Sequence, residues 1–122
     1  YPRAVYDAIH LMHDLYDLKI PIIVTENGTY SIGEEQVDAQ SGMIEDCDRI
    51  RYIGGFLEWL EKAIDEGFDI RGYYLWSLMD NFEWSAGRSF KFGIMHTDFD
   101  TLEVTPKRSF EWYRRFIAEH RA

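Results

Sequence analysis

Pro21-Ile22-Ile23-Val24-Thr25-Glu26-Asn27-Gly28 opens with a short apolar, β-branched run and closes on an acid followed by a turn pair. A run of this kind is the mark of a strand buried on both faces, as in a parallel sheet covered by helices. Asn-Gly readily takes positive φ, so the chain is expected to turn away directly after Glu26. That leaves a carboxylate at the C-terminal mouth of a strand, where α/β proteins keep their chemistry. The plainer reading is a polar strand end before a turn, and Asn-Gly is also a strong hairpin signal.

Working outward, Pro2 suits the first turn of a helix, and Val5, Ala8, Ile9, Met12, Leu15 and Tyr16 recur at steps of three and four, which predicts a helix over about 2–17. Beyond the strand, residues 27–44 hold Gly28, Gly33 and Gly42 among acids and follow neither period, so they read as a long loop, the kind that serves as a lid or binding loop. From Glu45 the helical period returns with Ile50, Ile53, Leu57, Leu60 and Ile64, a stripe suited to covering a sheet, and Gly67 marks its end. Residues 70–78, Ile-Arg-Gly-Tyr-Tyr-Leu-Trp-Ser-Leu, read as a second strand. Strand, helix, strand is a βαβ unit with parallel strands, so Glu26 and Trp76 are expected at strand ends that open onto one surface. Residues 79–100 form another loop region with an extended piece at Phe92-Gly93-Ile94-Met95. Thr105 as N-cap and Pro106 at the first helical position then start a last helix with Phe110, Tyr113, Phe116 and Ile117 on its apolar face. Two parallel strands have two open edges and make a marginal sheet, so they are expected to continue into a larger one or to drive self-association.

The 122 residues allow one ordinary domain, and 46% hydrophobic with 16% aromatic content describes a packed chain. Eight Tyr, eight Phe and four Trp are many for this length; a large core is the default reading, and sugar or other ring-stacking sites are the alternative. A net charge of −9 opposes nucleic acid as a partner. No apolar run approaches the roughly 20 residues of a membrane helix, so no membrane partner is expected. Cys47 stands alone, which excludes a disulfide framework or thiol zinc site and favours a reducing compartment, so a cytoplasmic location is expected. No secretory signal opens the chain, but Tyr1-Pro2 is not a usual start and leaves room for an upstream portion. His10 and His13 have a possible metal-ligand spacing without a third ligand, so they are read as exposed helix residues, and no cofactor is expected.

Five blocks carry a resemblance: Thr25-Glu26-Asn27-Gly28, Asp46-x-x-Arg49-x-x-Tyr52, Tyr74 through Trp84 (Tyr-Leu-Trp-Ser-Leu-Met-Asp-Asn-Phe-Glu-Trp), Phe92-Gly93-Ile94 and Thr105-Pro106-Lys107. In this order they resemble the C-terminal portion of family 1 glycoside hydrolases, the β-glucosidase family. The resemblance implies an α/β fold: the α-β-α-β-α segment, about the last quarter, of a (β/α)8 TIM barrel, over 1–122. A whole barrel takes about 250 residues or more, so this chain does not close one alone. It implies retaining hydrolysis of β-glycosides by two carboxylates about 5 Å apart. It assigns Glu26 as nucleophile, Glu83 as a clamp on hydroxyls of a glucose-like ring, Trp84 as a donor to a neighbouring hydroxyl, Trp76 as the aromatic floor and Phe92 as the wall beside the hydroxymethyl group. Without the resemblance, Trp76 is an ordinary core aromatic, Phe92 is loop packing, and Asp80-Asn81 is turn and hydrogen-bond structure.

The chain departs from the family pattern in three respects. The Asn-Glu-Pro motif that supplies the family's acid/base is absent, as are the glutamine, histidine and tryptophan that complete the sugar site upstream. Arg88 follows Gly87 where the family pattern has Tyr. A lost general acid costs about 10² to 10⁴ in rate, so the isolated chain is expected to be inactive and to need the remainder of the barrel. A noncatalytic sugar-binding or assembly module, or a folding segment without activity, are the alternatives.

Overall fold

The computed structural model describes residues 1–120. Its elements in order are α1 (Ala4–Tyr16), β1 (Ile22–Asn27), β2 (Ser31–Ile32), α2 (Cys47–Asp65), β3 (Ile70–Leu75), a 3₁₀ turn (Trp84–Ala86), β4 (Phe90–Lys91), β5 (Met95–Thr97), β6 (Val104–Pro106) and α3 (Arg108–Glu119). They fall into two compact units, one of residues 1–27 and 51–75, the other of residues 28–50 and those from Trp76 onward.

In the first unit β1 and β3 pair in parallel, from Ile22 opposite Ile70 to Asn27 opposite Leu75. Ile9, Leu60 and Ala63 form its core, with Val5, Tyr6, Ile22, Val24, Phe68, Ile70 and Tyr73 packed against them. The turn out of α2 needs Gly67, whose φ is +99° and whose N–H bonds to Ile64 O, as its position after the apolar stripe predicts. β1 is not buried on both faces. Ile22 and Val24 meet the core, whereas Ile23 is 52% exposed and Thr25 and Glu26 are open, because only one face is covered by helices. The expected stripes also shift. Ala63 rather than Ile64 lies inside on α2, and on α1 only Ile9 is buried while Met12, Leu15 and Tyr16 are exposed.

The second unit is built from loops joined by short antiparallel pairs. Residues 27–44 are not wholly irregular, since β2 pairs with β4 and Val37 bridges Ile44. Two-residue strands leave no periodic trace in a sequence. Residues 76–78 leave β3, because Ser77 instead donates its N–H to Phe92 O and accepts from Ile94 N–H. In place of one extended piece at 92–95, β4 ends at Lys91 and β5 begins at Met95. Thr105 and Pro106 do not cap α3. They lie in β6, paired with His96 and Met95, and the N-cap position belongs to Lys107. The interior is unusually polar: among the described residues, buried Ile44 and Ile94 are accompanied by buried Arg49, Ser77, Asp80, Lys107 and Ser109.

No helix among the described residues is long and apolar enough to cross a membrane.

Candidate functional site

Glu26 is the penultimate residue of β1 and its side chain is exposed. The strand end is held by Tyr73, whose hydroxyl donates to Asn27 Oδ1 at 2.8 Å. Gly28 is not among the positive-φ glycines, contrary to the turn expected there. Its requirement is steric: a Cβ would stand 1.6 Å from the carbonyl oxygen of Trp76.

Trp76, Glu83, Trp84 and Phe92 all belong to the second unit. Trp76 is 37% exposed and Trp84 86%. Trp84 has φ +40°, a conformation unfavourable for a side chain of this size, and it is held by a tight turn in which Glu83 N–H donates to Gly87 O and Ala86 N–H to Glu83 O. Asn81 Nδ2 donates to Glu83 Oε2 at 3.1 Å, while Asn81 Oδ1 accepts from Ser77 Oγ at 3.3 Å. Asp80-Asn81 thus serves as hydrogen-bond structure, as read. Phe92 is half-buried, 5.3 Å from the Tyr30 ring, and Tyr30 stacks flat on Phe90 at 4.1 Å. Arg88 extends over Phe99, 4.7 Å from the ring centre.

The second unit also holds a cluster of ionisable side chains that only the tertiary structure assembles. Lys107 Nζ is 2.7 Å from Glu35 and 3.2 Å from Asp80, and His96 Nδ1 is 2.9 Å from Glu35 and 3.3 Å from Asp80. Asp80 Oδ1 also accepts from Gly93 N–H at 2.8 Å, and a Cβ on Gly93 would collide with the Asp80 backbone nitrogen. Burial acts to raise the Glu35 carboxyl pKa, but hydrogen bonds from Lys107, Ser31 and His96 outweigh it and hold the group below its ordinary value. Glu35, Asp80 and His96 bring ligand atoms within 4.8 Å of one another, a geometry open to a cation. The Lys107 ammonium already supplies that positive charge. A second knot joins it: Asp46 accepts from Arg49 Nε at 2.9 Å and from Ser109 N–H at 2.8 Å.

His10 and His13 are half-buried rather than exposed. His10 Nε2 lies 2.9 Å from Glu66 and His13 Nδ1 3.2 Å from Leu18 O, and both rings pack edge-on to Phe68.

Two parallel strands joined through a helix, with helices packed on the sheet and a carboxylate at a strand end, define an α/β protein. The Glycosyl hydrolase family 1 model matches residues 1–122. The chain is 45% identical over 122 residues to a bifunctional β-D-glucosidase/β-D-fucosidase of Bifidobacterium breve, covering 99% of this chain and 26% of that protein. It superposes on a psychrophilic β-glucosidase of Micrococcus antarcticus with TM-score 0.90 and 35% identity, covering 100% of this chain and 25% of that one. On a β-glucosidase of Exiguobacterium antarcticum the TM-score is 0.88 at 42% identity, covering 98% and 26%. The chain belongs to glycosyl hydrolase family 1 and spans about a quarter of the length of these relatives.

Proposed function

We propose that this chain is the C-terminal α-β-α-β-α segment of a (β/α)8 barrel that hydrolyses β-glucosides or related β-glycosides with retention. The carrying observation is Glu26, an exposed carboxylate at the C-terminal end of a parallel strand in a family 1 chain. Its oxygen attacks the anomeric carbon, the glycosidic C–O bond breaks, and the leaving oxygen takes a proton from an acid outside these residues. Water, deprotonated by the same group, then hydrolyses the glycosyl ester and restores Glu26. Glu83 accepts sugar hydroxyls, Trp84 donates to one, Trp76 lies under the ring and Phe92 beside the hydroxymethyl group. The clamp draws support from Asn81, which orients one Glu83 oxygen, and the donor from the exposure of Trp84.

The isolated chain lacks the second carboxylate and is inactive in this reading. Mixing it with the N-terminal remainder of a family 1 barrel should restore turnover of an aryl β-glucoside, and Glu26→Gln should abolish it. A correctly formed complex without turnover sinks the reading. The exposed Trp76 and Trp84 favour one alternative, a noncatalytic sugar-binding module. It predicts saturable quenching of tryptophan emission when the chain alone is titrated with glucose, and a flat titration removes it. The single exposed Cys47 suits a reducing compartment such as the cytoplasm.

A further inference from the structure

Arg49 is 4% exposed, and every one of its five N–H donors is spent. Nε donates to Asp46 Oδ2 at 2.9 Å. Nη1 donates to Phe92 O at 2.8 Å and to Thr29 O, and Nη2 to Lys91 O at 2.8 Å and Ser31 Oγ at 3.3 Å. Three backbone carbonyls from two loops therefore converge on one planar fork. Burying an arginine is costly, and an apolar side chain of the same volume fills a core at least as well. What an apolar residue cannot do is fix the direction of those carbonyls. On one side of the fork the carbonyls belong to Lys91 and Phe92; on the other, Thr29 and Ser31 flank Tyr30. The rings these segments carry meet: Tyr30 stacks on Phe90 and stands 5.3 Å from Phe92.

We propose that Arg49 is a positioning residue for sugar recognition. By clamping the backbone at Lys91-Phe92 and at Thr29–Ser31, it aims the Phe92 ring at the hydroxymethyl group of a hexoside and thereby sets the preference for glucosides over xylosides, which lack that group. This rests on the role given to Phe92 above. Lysine cannot replace the fork, because its three donors leave one point and cannot address carbonyls spread across a plane.

The test uses the complex of this chain with the remainder of the barrel and two aryl glycosides, a β-glucoside and a β-xyloside. Loss of a well-placed apolar contact costs about tenfold in discrimination. Arg49→Lys should therefore lower the glucoside-to-xyloside ratio of kcat/KM by about tenfold, as should Phe92→Ala. A purely structural role would lower both glycosides together and leave the ratio alone. An unchanged ratio in Arg49→Lys beside a lowered one in Phe92→Ala overturns the positioning role. An unchanged ratio in Phe92→Ala overturns the reading on which it rests. If Arg49→Lys does not assemble, Ser31→Ala removes one acceptor from the fork, with a drop of about threefold expected and an unchanged ratio again overturning the proposal.

Discussion

Lys107 is wholly buried and faces two carboxylates, with the His96 ring 2.9 Å and the Arg49 guanidinium 4.0 Å from Glu35 beside them. Removing one partner of such a cluster leaves charge without compensation, which costs about 3–5 kcal/mol. Lys107→Met should lose about that much stability in urea unfolding, and a loss below about 1 kcal/mol would mean that water replaces the ammonium. The same cluster sets an acid limit. Glu35 titrates below its ordinary value of 4.5 when folded, so it contributes stability that is fully present above that value and lost as pH falls through the folded one. Asp38, Glu45, Glu66, Asp69 and Asp98 are also lowered, chiefly by hydrogen bonds, but they are exposed and each contributes little. The melting temperature should therefore fall as the pH drops below about 4.5, with a shallower fall in Glu35→Gln. Equal slopes for the two proteins would remove Glu35 as the cause. Little of this was legible beforehand. Glu35 sits in a glycine-rich loop without period, and its partners His96 and Lys107 are 61 and 72 residues away. In the sequence Lys107 is legible only as the last residue of Thr105-Pro106-Lys107.

At the scale of elements, the start of α3 shows how far a local rule reaches. Thr105-Pro106 has the form of an N-cap and first helical residue, yet both are held in β6, and the helix begins two residues later without a side-chain cap from its N-cap residue. Its orphan donor at Ser109 is met by Asp46 from 63 residues upstream, and the Ser109 hydroxyl donates to the same carboxylate at 2.5 Å. Asp46 and Arg49, one turn apart on the chain, thus bind α3 and the loops respectively, which gives the Asp46-x-x-Arg49 spacing a physical meaning. A lost cap alone costs at most about 2 kcal/mol. Asp46→Ala also strips the Arg49 guanidinium of the carboxylate that accepts from its Nε, so the loss should exceed that figure, whereas Ser109→Ala should cost about 1 kcal/mol. Urea titrations followed by far-ultraviolet circular dichroism measure both, and equal losses would disprove the shared role of Asp46.

For the whole molecule, the β1–β3 pair leaves an outer edge on each strand among the described residues, and Ile23 and Tyr74, 52% and 64% exposed, lie beside those edges on the open face. Open edges beside apolar side chains invite pairing with another chain. The net charge of −9 opposes that between copies, and salt weakens the repulsion. Sedimentation should show mass above a single chain, increasing with concentration and with salt; a clean monomer at all salt concentrations contradicts it. Addition of the barrel remainder should suppress the association if both use the same edges.

The residues alone determined the three helices, the parallel β-α-β order, Glu26 at a strand end and the family, because apolar period, glycine punctuation and motif order are local properties written along the chain. Only the tertiary structure decided that β1 is covered on one face, that Gly28 answers to the Trp76 carbonyl rather than to a turn, and that Lys107, Asp80, Glu35 and His96 share a buried cluster. These depend on groups brought together across tens of residues, and no local pattern encodes such pairings. Glu26 is an acid at the mouth of a strand, as the sequence predicts, but on a strand whose second face stands open.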